Sequence, residues 1–300
     1  MSQKRILLIA PTGQVGWELL RCAQPLGTVI PVSRVSNAYG HVDLSNADSV
    51  RRIIQEVKPD IILNAAAYTA VDKAEEETEL AFQANGTAPA IMAEEAKKLN
   101  SLLVHYSTDY VFDGESETPY TEDDKVNPMG AYGKTKLAGE EGIEAIGGEY
   151  LILRTAWVYG IRGKNFLLTM QRLANEREEL QIVSDQIGAP TWSYMIAQAT
   201  AQVLSQLYSP QLSKDRAQFS GLYHLTCGGQ TSWYEFAKAI IAREDKQPNV
   251  IPIPTSEYPT PAKRPAYSVL SNQRLQQTFG ISLPDWDKTL ELCLNAQQER

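Results

Sequence analysis

Tyr132 and Lys136 stand four residues apart inside a run, 131–146, whose pattern predicts a helix, and at that spacing both project from one face. An ammonium on that face favours the phenolate and lowers a phenol pKa from its ordinary value of about 10. Thr108 follows an apolar run that reads as a strand, and its hydroxyl is placed to share an acceptor oxygen with the phenol. Phenol, cation and alcohol together make a proton-delivery unit for reducing a carbonyl. Such a reduction needs a hydride carrier, and the N-terminal residues offer a place to hold one.

Lys4 to Ala10 is a short apolar run of the kind buried in a parallel strand. Pro11-Thr12-Gly13-Gln14-Val15-Gly16 ends it before a helical pattern carrying Trp17, Leu19, Leu20 and Ala23. Strand, glycine-bearing turn and helix start are the setting in which backbone N–H groups receive a pyrophosphate. Gly13 and Gly16 fill the spaced-glycine pattern, while Ala10 occupies its first place. Past the next strand, Thr28 to Val32, an NAD site commonly carries a carboxylate about 20 residues beyond the turn. This chain has Ser33-Arg34 there and no acid until Asp43. A hydroxyl and a guanidinium suit a 2′-phosphate, so the expected cofactor is NADPH, with NADH the alternative. Asp43 is expected to hydrogen-bond an adenine amine or to cap the next helix.

The alternation continues. Ser45 to Val57 reads as a helix capped by Ser45 or Asn46, Asp60 to Asn64 as a strand, and Glu75 to Leu99 as a long helix that Gly86 and Pro89 can divide. Leu102 to Tyr106 and Leu151 to Arg154 are further strands, with the helix 131–146 between them. This pattern predicts an α/β fold: a Rossmann-type doubly wound parallel sheet followed by a smaller C-terminal substrate-binding domain. Residues 1–156 are expected to form the NAD(P)-binding domain and 157–300 mainly the substrate domain, with a late strand near 222–226 rejoining the first sheet. Beyond Trp157 the pattern predicts helices over Phe166 to Leu180, up to Leu204, and after a cap at Thr231 or Ser232. The proline-rich run from Pro252 to Pro265 is expected to line a binding site. In open parallel sheets such sites lie at the carboxyl ends of the strands, where the candidate residues fall.

The chain has 300 residues, of which 21% are charged, and a net charge of -8, which opposes non-specific binding to nucleic acid. No early segment has the apolar length of a signal peptide or a membrane span, so a cytoplasmic protein is expected. Cys22, Cys227 and Cys293 are widely spaced and read as free thiols of a reducing compartment. His41, His105 and His224 lack ligand spacing, and no metal is expected.

Seven segments together resemble a known family. They are Thr12 to Glu18, Asn64 to Glu75, Tyr106 to Gly114, Tyr132 to Glu140, Arg154 to Tyr159, Asp185 to Thr191 and Tyr258 to Pro265. In this order, across nearly the whole chain, they look like dTDP-4-dehydrorhamnose reductase, a branch of the extended short-chain dehydrogenase/reductases. The resemblance implies NAD(P)H-dependent reduction of the 4-keto group of dTDP-4-dehydro-L-rhamnose to dTDP-L-rhamnose, a sugar-nucleotide precursor of cell-surface polysaccharide. It implies Tyr132 as proton donor, Thr108 as its assistant, and Lys136 as the group that binds nicotinamide ribose and lowers the phenol's pKa. Gly13, Gln14, Val15 and Gly16 would form the pyrophosphate turn, and Ser33, Arg34, Asp43, Leu44, Ala67, Tyr68, Thr69 and Tyr106 would complete the cofactor cleft. Val71, Thr108, Asp109 and Trp157 would contact the sugar nucleotide, with Lys263 and Arg264 the candidate cations for its pyrophosphate.

Two departures from the family pattern stand out. Ala10-Pro11 replaces the more usual Gly-Lys at the start of the turn. Some members hold magnesium at a dimer interface through a Glu matching Glu18 and another at the position of Tyr194, where a phenol is a poor ligand. No such ion is therefore expected here, and the chain is expected to be a monomer or weak homodimer. Two other readings are weighed. One is an NAD-dependent sugar-nucleotide epimerase or dehydratase; the other is a non-catalytic NADP-binding subunit resembling the regulatory subunit of methionine adenosyltransferase. The complete Thr108, Tyr132 and Lys136 set argues against the second.

Overall fold

The fold is that of a computed structural model describing residues 3–209 and 216–299. Its first half alternates strictly: β1 (Lys4–Ile9), α1 (Gln14–Cys22), β2 (Gly27–Val32), α2 (Ala47–Val57) and β3 (Ile61–Asn64). A continuous helical stretch comes next as α3 (Thr78–Phe82), a π-turn (Gln83–Thr87) and α4 (Ala88–Leu99), leading into β4 (Leu102–Thr108). α5 (Ala131–Ile146) and β5 (Tyr150–Thr155) complete this half. The second half carries β6 (Val158–Tyr159), α6 (Phe166–Glu176), β7 (Glu179–Val183), β8 (Ile187–Gly188), β9 (Thr191–Trp192) and α7 (Ser193–Leu207). After β10 (Gly221–His224) come β11 (Thr231–Ser232), α8 (Trp233–Ile241), β12 (Asn249–Ile253), α9 (Gln273–Phe279) and α10 (Trp286–Gln298).

Six strands pair in parallel in the order β10-β5-β4-β3-β1-β2, so the late strand does rejoin the sheet, beside β5. The chain changes direction across the sheet between β1 and β3, which opens a crevice at the strands' carboxyl ends. Register brings those ends level: Ile9 lies opposite both Val32 and Asn64, Asn64 opposite His105, and Thr108 opposite Thr155.

Strand alternation divides the core. Ile6, Leu8, Leu63, Val104 and Leu153 face α1, α7 and α9 through Leu19, Ile196, Leu204 and Phe279. Leu7, Ile9, Ile62, Leu103 and Ile152 face α2, α4 and α5 through Ile54, Met92 and Ile143. Although α7 and α9 lie beyond residue 157, they complete a layer of the first sheet, so residue 156 is no boundary of the core. A separate cluster of Tyr159, Met170, Trp192, Phe236 and Leu290 packs α6, α8 and α10 together.

One helix ends earlier than the sequence reading has it. α6 stops at Glu176 because Arg177 turns extended, and Glu179–Val183 becomes a strand paired with β12 instead of continuing the helix to Leu180. The cap of α2 is Asn46, whose side chain accepts from the Ser49 N–H at 3.0 Å. Among the described residues no helix is long and apolar enough to cross a membrane.

Candidate active site

The turn after β1 is closed by its own backbone. Gly13 N–H donates to the Ala10 carbonyl at 3.2 Å, and a side chain at Gly16 would meet that same oxygen at 2.0 Å. Gly13 is the N-cap of α1, and no side chain caps that helix start. Its first N–H groups therefore face the crevice without a side-chain partner, which fits an anionic pyrophosphate. Ala10 takes φ +63°, the left-handed region that glycine favours, so the departure noted in the sequence costs backbone strain rather than bulk. Ala10→Gly is expected to raise the thermal unfolding midpoint by relieving about 0.5–1 kcal/mol. A midpoint equal to or below that of the unsubstituted protein would rule the strain out.

Ser33 and Arg34 leave β2 beside this turn, where Ala10 N–H donates to the Val32 carbonyl at 2.9 Å. Arg34 is exposed, and Ser33 bonds locally to Val35. Asp43 accepts from both the N–H and the hydroxyl of Ser45, which holds its carboxyl below the ordinary range; it closes a turn rather than capping α2. Leu44 packs partly buried against the core that covers α2.

Thr108 and Tyr132 meet. The hydroxyl of Thr108 bonds the phenol of Tyr132, donates to Asp109 Oδ1 at 3.0 Å and accepts from the Tyr110 N–H at 3.2 Å. The ring of Tyr110 stands edge-on to Tyr132 at 5.5 Å and fixes its plane. The phenol departs from the sequence expectation, because burial pushes its pKa up, with Asp109 adding to the effect and only the Thr108 bond opposing it. Burial also raises the Asp109 carboxyl to about 6, against hydrogen bonds from Ser268 and Thr108.

Lys136 shares the helix face of Tyr132, yet its amine turns toward β4. Nζ donates to the Tyr106 carbonyl at 2.6 Å and lies 3.1 Å from His105 Nε2. Burial lowers its pKa to about 8, opposed by Glu140 one turn further along α5. Tyr106 needs correction as a cleft residue. Its ring lies in the core and its hydroxyl meets Thr200 at 2.9 Å, so only its carbonyl reaches the site.

Ala67, Tyr68, Thr69 and Val71 follow β3 along the crevice, and the clamp that holds them escaped the sequence reading. Asn85, in the π-turn, accepts from the Tyr68 N–H at 2.8 Å and donates to the Tyr68 carbonyl at 3.0 Å and to Thr135 at 3.2 Å. The tyrosine's own hydroxyl donates to Glu77 at 2.6 Å. Asn64 and His105 were also missed as a pair. The available signal was a polar residue inside each of two apolar strands, since buried polar groups need partners.

Trp157 leaves β5 in a left-handed conformation, φ +47°, and stacks on Trp233 with ring centroids 3.6 Å apart. Gly188 lines the indole: a Cβ there would come within 2.3 Å of it. Arg264 reaches Asp72 at 3.1 Å, and the Ala262 N–H donates to the same carboxylate, so this loop is tied to the segment holding Val71. Part of the Arg264 charge is thereby engaged within the protein, while Lys263 is exposed. Glu18 pairs with Arg21, and Tyr194 packs on Trp192. Among the described residues no three His, Cys, Asp or Glu side chains group as a metal-ligand set.

The pattern of the whole chain now has counterparts. A family model described as RmlD substrate binding domain matches residues 4–299. The dTDP-4-dehydrorhamnose reductase of Burkholderia thailandensis is 48% identical over 298 residues, covering 97% of this chain and 98% of that protein. The chain belongs to the dTDP-4-dehydrorhamnose reductase family. The dTDP-4-dehydrorhamnose reductase of Escherichia coli K12 is 43% identical over 298 residues, covering 97% of each. The crystal structure of dTDP-4-dehydrorhamnose reductase from Bacillus anthracis in complex with NADP matches with a TM-score of 0.89 at 33% identity, over 98% of this chain and 99% of that one. As a member of the dTDP-4-dehydrorhamnose reductase family, the chain is an NAD(P)H-dependent oxidoreductase with a Rossmann-like fold.

Proposed function

We propose that this enzyme reduces the C4 keto group of dTDP-4-dehydro-L-rhamnose to dTDP-L-rhamnose, with NADPH as cofactor and Tyr132 as proton donor. The observation that carries the reading is the contact of the Tyr132 phenol with the Thr108 hydroxyl, with Lys136 one turn further along the same helix. When bound, NADPH supplies the hydride that adds to C4. Gly13, Gln14, Val15 and Gly16 would hold its pyrophosphate, Ser33 and Arg34 its 2′-phosphate, and Asp43, Leu44, Ala67, Tyr68 and Thr69 the rest of the cleft. Lys136 would offer its remaining N–H to the nicotinamide ribose.

As negative charge grows on the C4 oxygen, Tyr132 gives that oxygen its proton, and Thr108 turns its own hydroxyl proton from Asp109 to steady it. The raised pKa of the phenol keeps Tyr132 protonated across the working pH range, which is the form an acid needs. Val71, Asp109 and Trp157 orient the sugar, and Lys263 and Arg264 offer positive charge to the sugar nucleotide's pyrophosphate. Residues 157–300 supply most of this side of the cleft. The direct test is the loss of NADPH absorbance with enzymatically generated dTDP-4-dehydro-L-rhamnose. No oxidation of NADPH or NADH by that substrate would overturn the reading.

Cofactor choice has its own measurement. Arg34→Ala is expected to weaken NADPH binding about tenfold or more while leaving NADH nearly unchanged, the loss of one charge-assisted contact to phosphate. Equal effects on the two cofactors would remove Arg34 from the 2′-phosphate.

A further inference from the structure

Lys136 is gripped by two neighbours on one strand. The Tyr106 carbonyl accepts from its Nζ at 2.6 Å, and His105 Nε2 lies 3.1 Å away. Lys136 and His105 are each only 1% exposed, so no solvent competes for these contacts. An ammonium has three N–H donors and no lone pair. Two of the three are directed into β4, which leaves one for a ligand.

The imidazole is suited to accept. Burial, reinforced by the charge of Lys136, holds His105 well below its ordinary pKa and so keeps it neutral. An ammonium donor at Nε2 puts the ring proton on Nδ1, 2.9 Å from the side-chain amide of Asn64. Turning the amide oxygen toward that proton gives up the bond that Oδ1 accepts from the Ala66 N–H. Asn64 stands at the end of β3, where its amide also contacts the Ala66 N–H at 3.2 Å. The amine of Lys136 is thus linked through two neutral side chains to the segment that lines the cleft.

We propose that His105 is a positioning residue for Lys136, fixing the amine so that its remaining N–H points into the cofactor cleft. The inference rests on the reductase reading for its purpose, but the contact itself does not depend on it. The other charged or titratable groups facing Lys136 are Glu140, paired with Arg154 of β5 at 2.6 Å, and Tyr132 one turn back on α5. Neither occupies the position of His105.

The test compares His105→Leu, which removes the acceptor, with His105→Gln, whose amide oxygen restores one. Ionisation of Lys136 is followed in the cofactor-free protein by NMR of its ε-carbon, and NADPH affinity by fluorescence titration. In His105→Leu the Lys136 midpoint is expected to fall by about half a pH unit or more, and the NADPH Kd to rise about three- to tenfold. The alkaline limb of kcat/KM should move to lower pH with the midpoint, and His105→Gln should reverse all three changes. A Lys136 midpoint in His105→Leu equal to that of the unsubstituted protein, or Leu and Gln variants that behave alike, would overturn the proposal. If His105→Leu does not fold, His105→Asn, whose amide falls short of Nζ, takes its place. A protein that never oxidises NADPH would sink the reductase reading while leaving the titration result standing.

Discussion

Tyr132→Phe is expected to slow NADPH oxidation by about two to four decades and to leave the NADPH Kd essentially unchanged. The substitution removes one oxygen and keeps the ring, so the edge-on packing against Tyr110 survives. The loss is of the hydroxyl that bonds Thr108 and, in the proposed reaction, gives a proton to the substrate oxygen. Thr108 alone is a poor substitute, because its own proton is engaged by Asp109 at 3.0 Å. Stopped-flow turnover and fluorescence binding, measured on the same preparation, check both halves. Unchanged turnover would take Tyr132 out of the chemistry, whereas a matching loss of NADPH affinity would make it a binding group.

Asp109→Asn is expected to stabilise the protein near neutral pH and not in acid. The Asp109 carboxyl titrates at about 6 in the folded protein, against 3.8 for an unperturbed aspartate. The folded state therefore holds the proton more tightly than the unfolded chain does. Below about pH 4 both forms are neutral and the group costs nothing. Between those values the folded state is progressively penalised, and above pH 6 the penalty is complete, at most about 3 kcal/mol. Removing the charge should thus raise stability by about 1–3 kcal/mol at pH 7.5, read as a higher urea midpoint, with no gain at pH 4. A gain of equal size at both pH values would show that packing, rather than ionisation, is responsible. Turnover should fall in the same variant, since Thr108 exchanges a carboxylate acceptor for a weaker amide oxygen. Such a trade of stability for activity is the usual signature of a group kept for its chemistry.

Much of the fold was legible because a parallel sheet buried on both faces leaves short apolar runs separated by helical periods. β1, β4 and α5 fall where those runs predict them, and Tyr132 meets Thr108 because strand ends and helix starts of such a sheet share one edge. Two errors came from reading spacing without direction. Lys136 shares a face with Tyr132, but a long flexible amine goes to its acceptors, and those lie on β4. Tyr106 sits between His105 and Ser107 on a strand, so if its neighbours look toward α5, it looks away. That alternation was readable and would have kept its ring out of the cleft. The Asn64–His105 pair was signalled only by a polar residue in each of two apolar strands, and the Asn85–Tyr68 contact not at all, because each joins residues brought together only when the strands and helices stack. The early stop of α6 belongs to the same class, since β7 exists by virtue of its pairing with β12, far along the chain.

The widened turn at Gln83–Thr87 has a consequence for how this chain tolerates length changes. A π-turn holds one residue more than the α-helical turn it replaces. Removing one residue there would let an ordinary helical turn close in its place, with α4 still packed on the sheet. What the deletion would remove is the bulged position from which Asn85 clasps both backbone groups of Tyr68. Natural relatives one residue shorter here should therefore keep the packing of α4 and hold the segment after β3 by contacts other than this clasp.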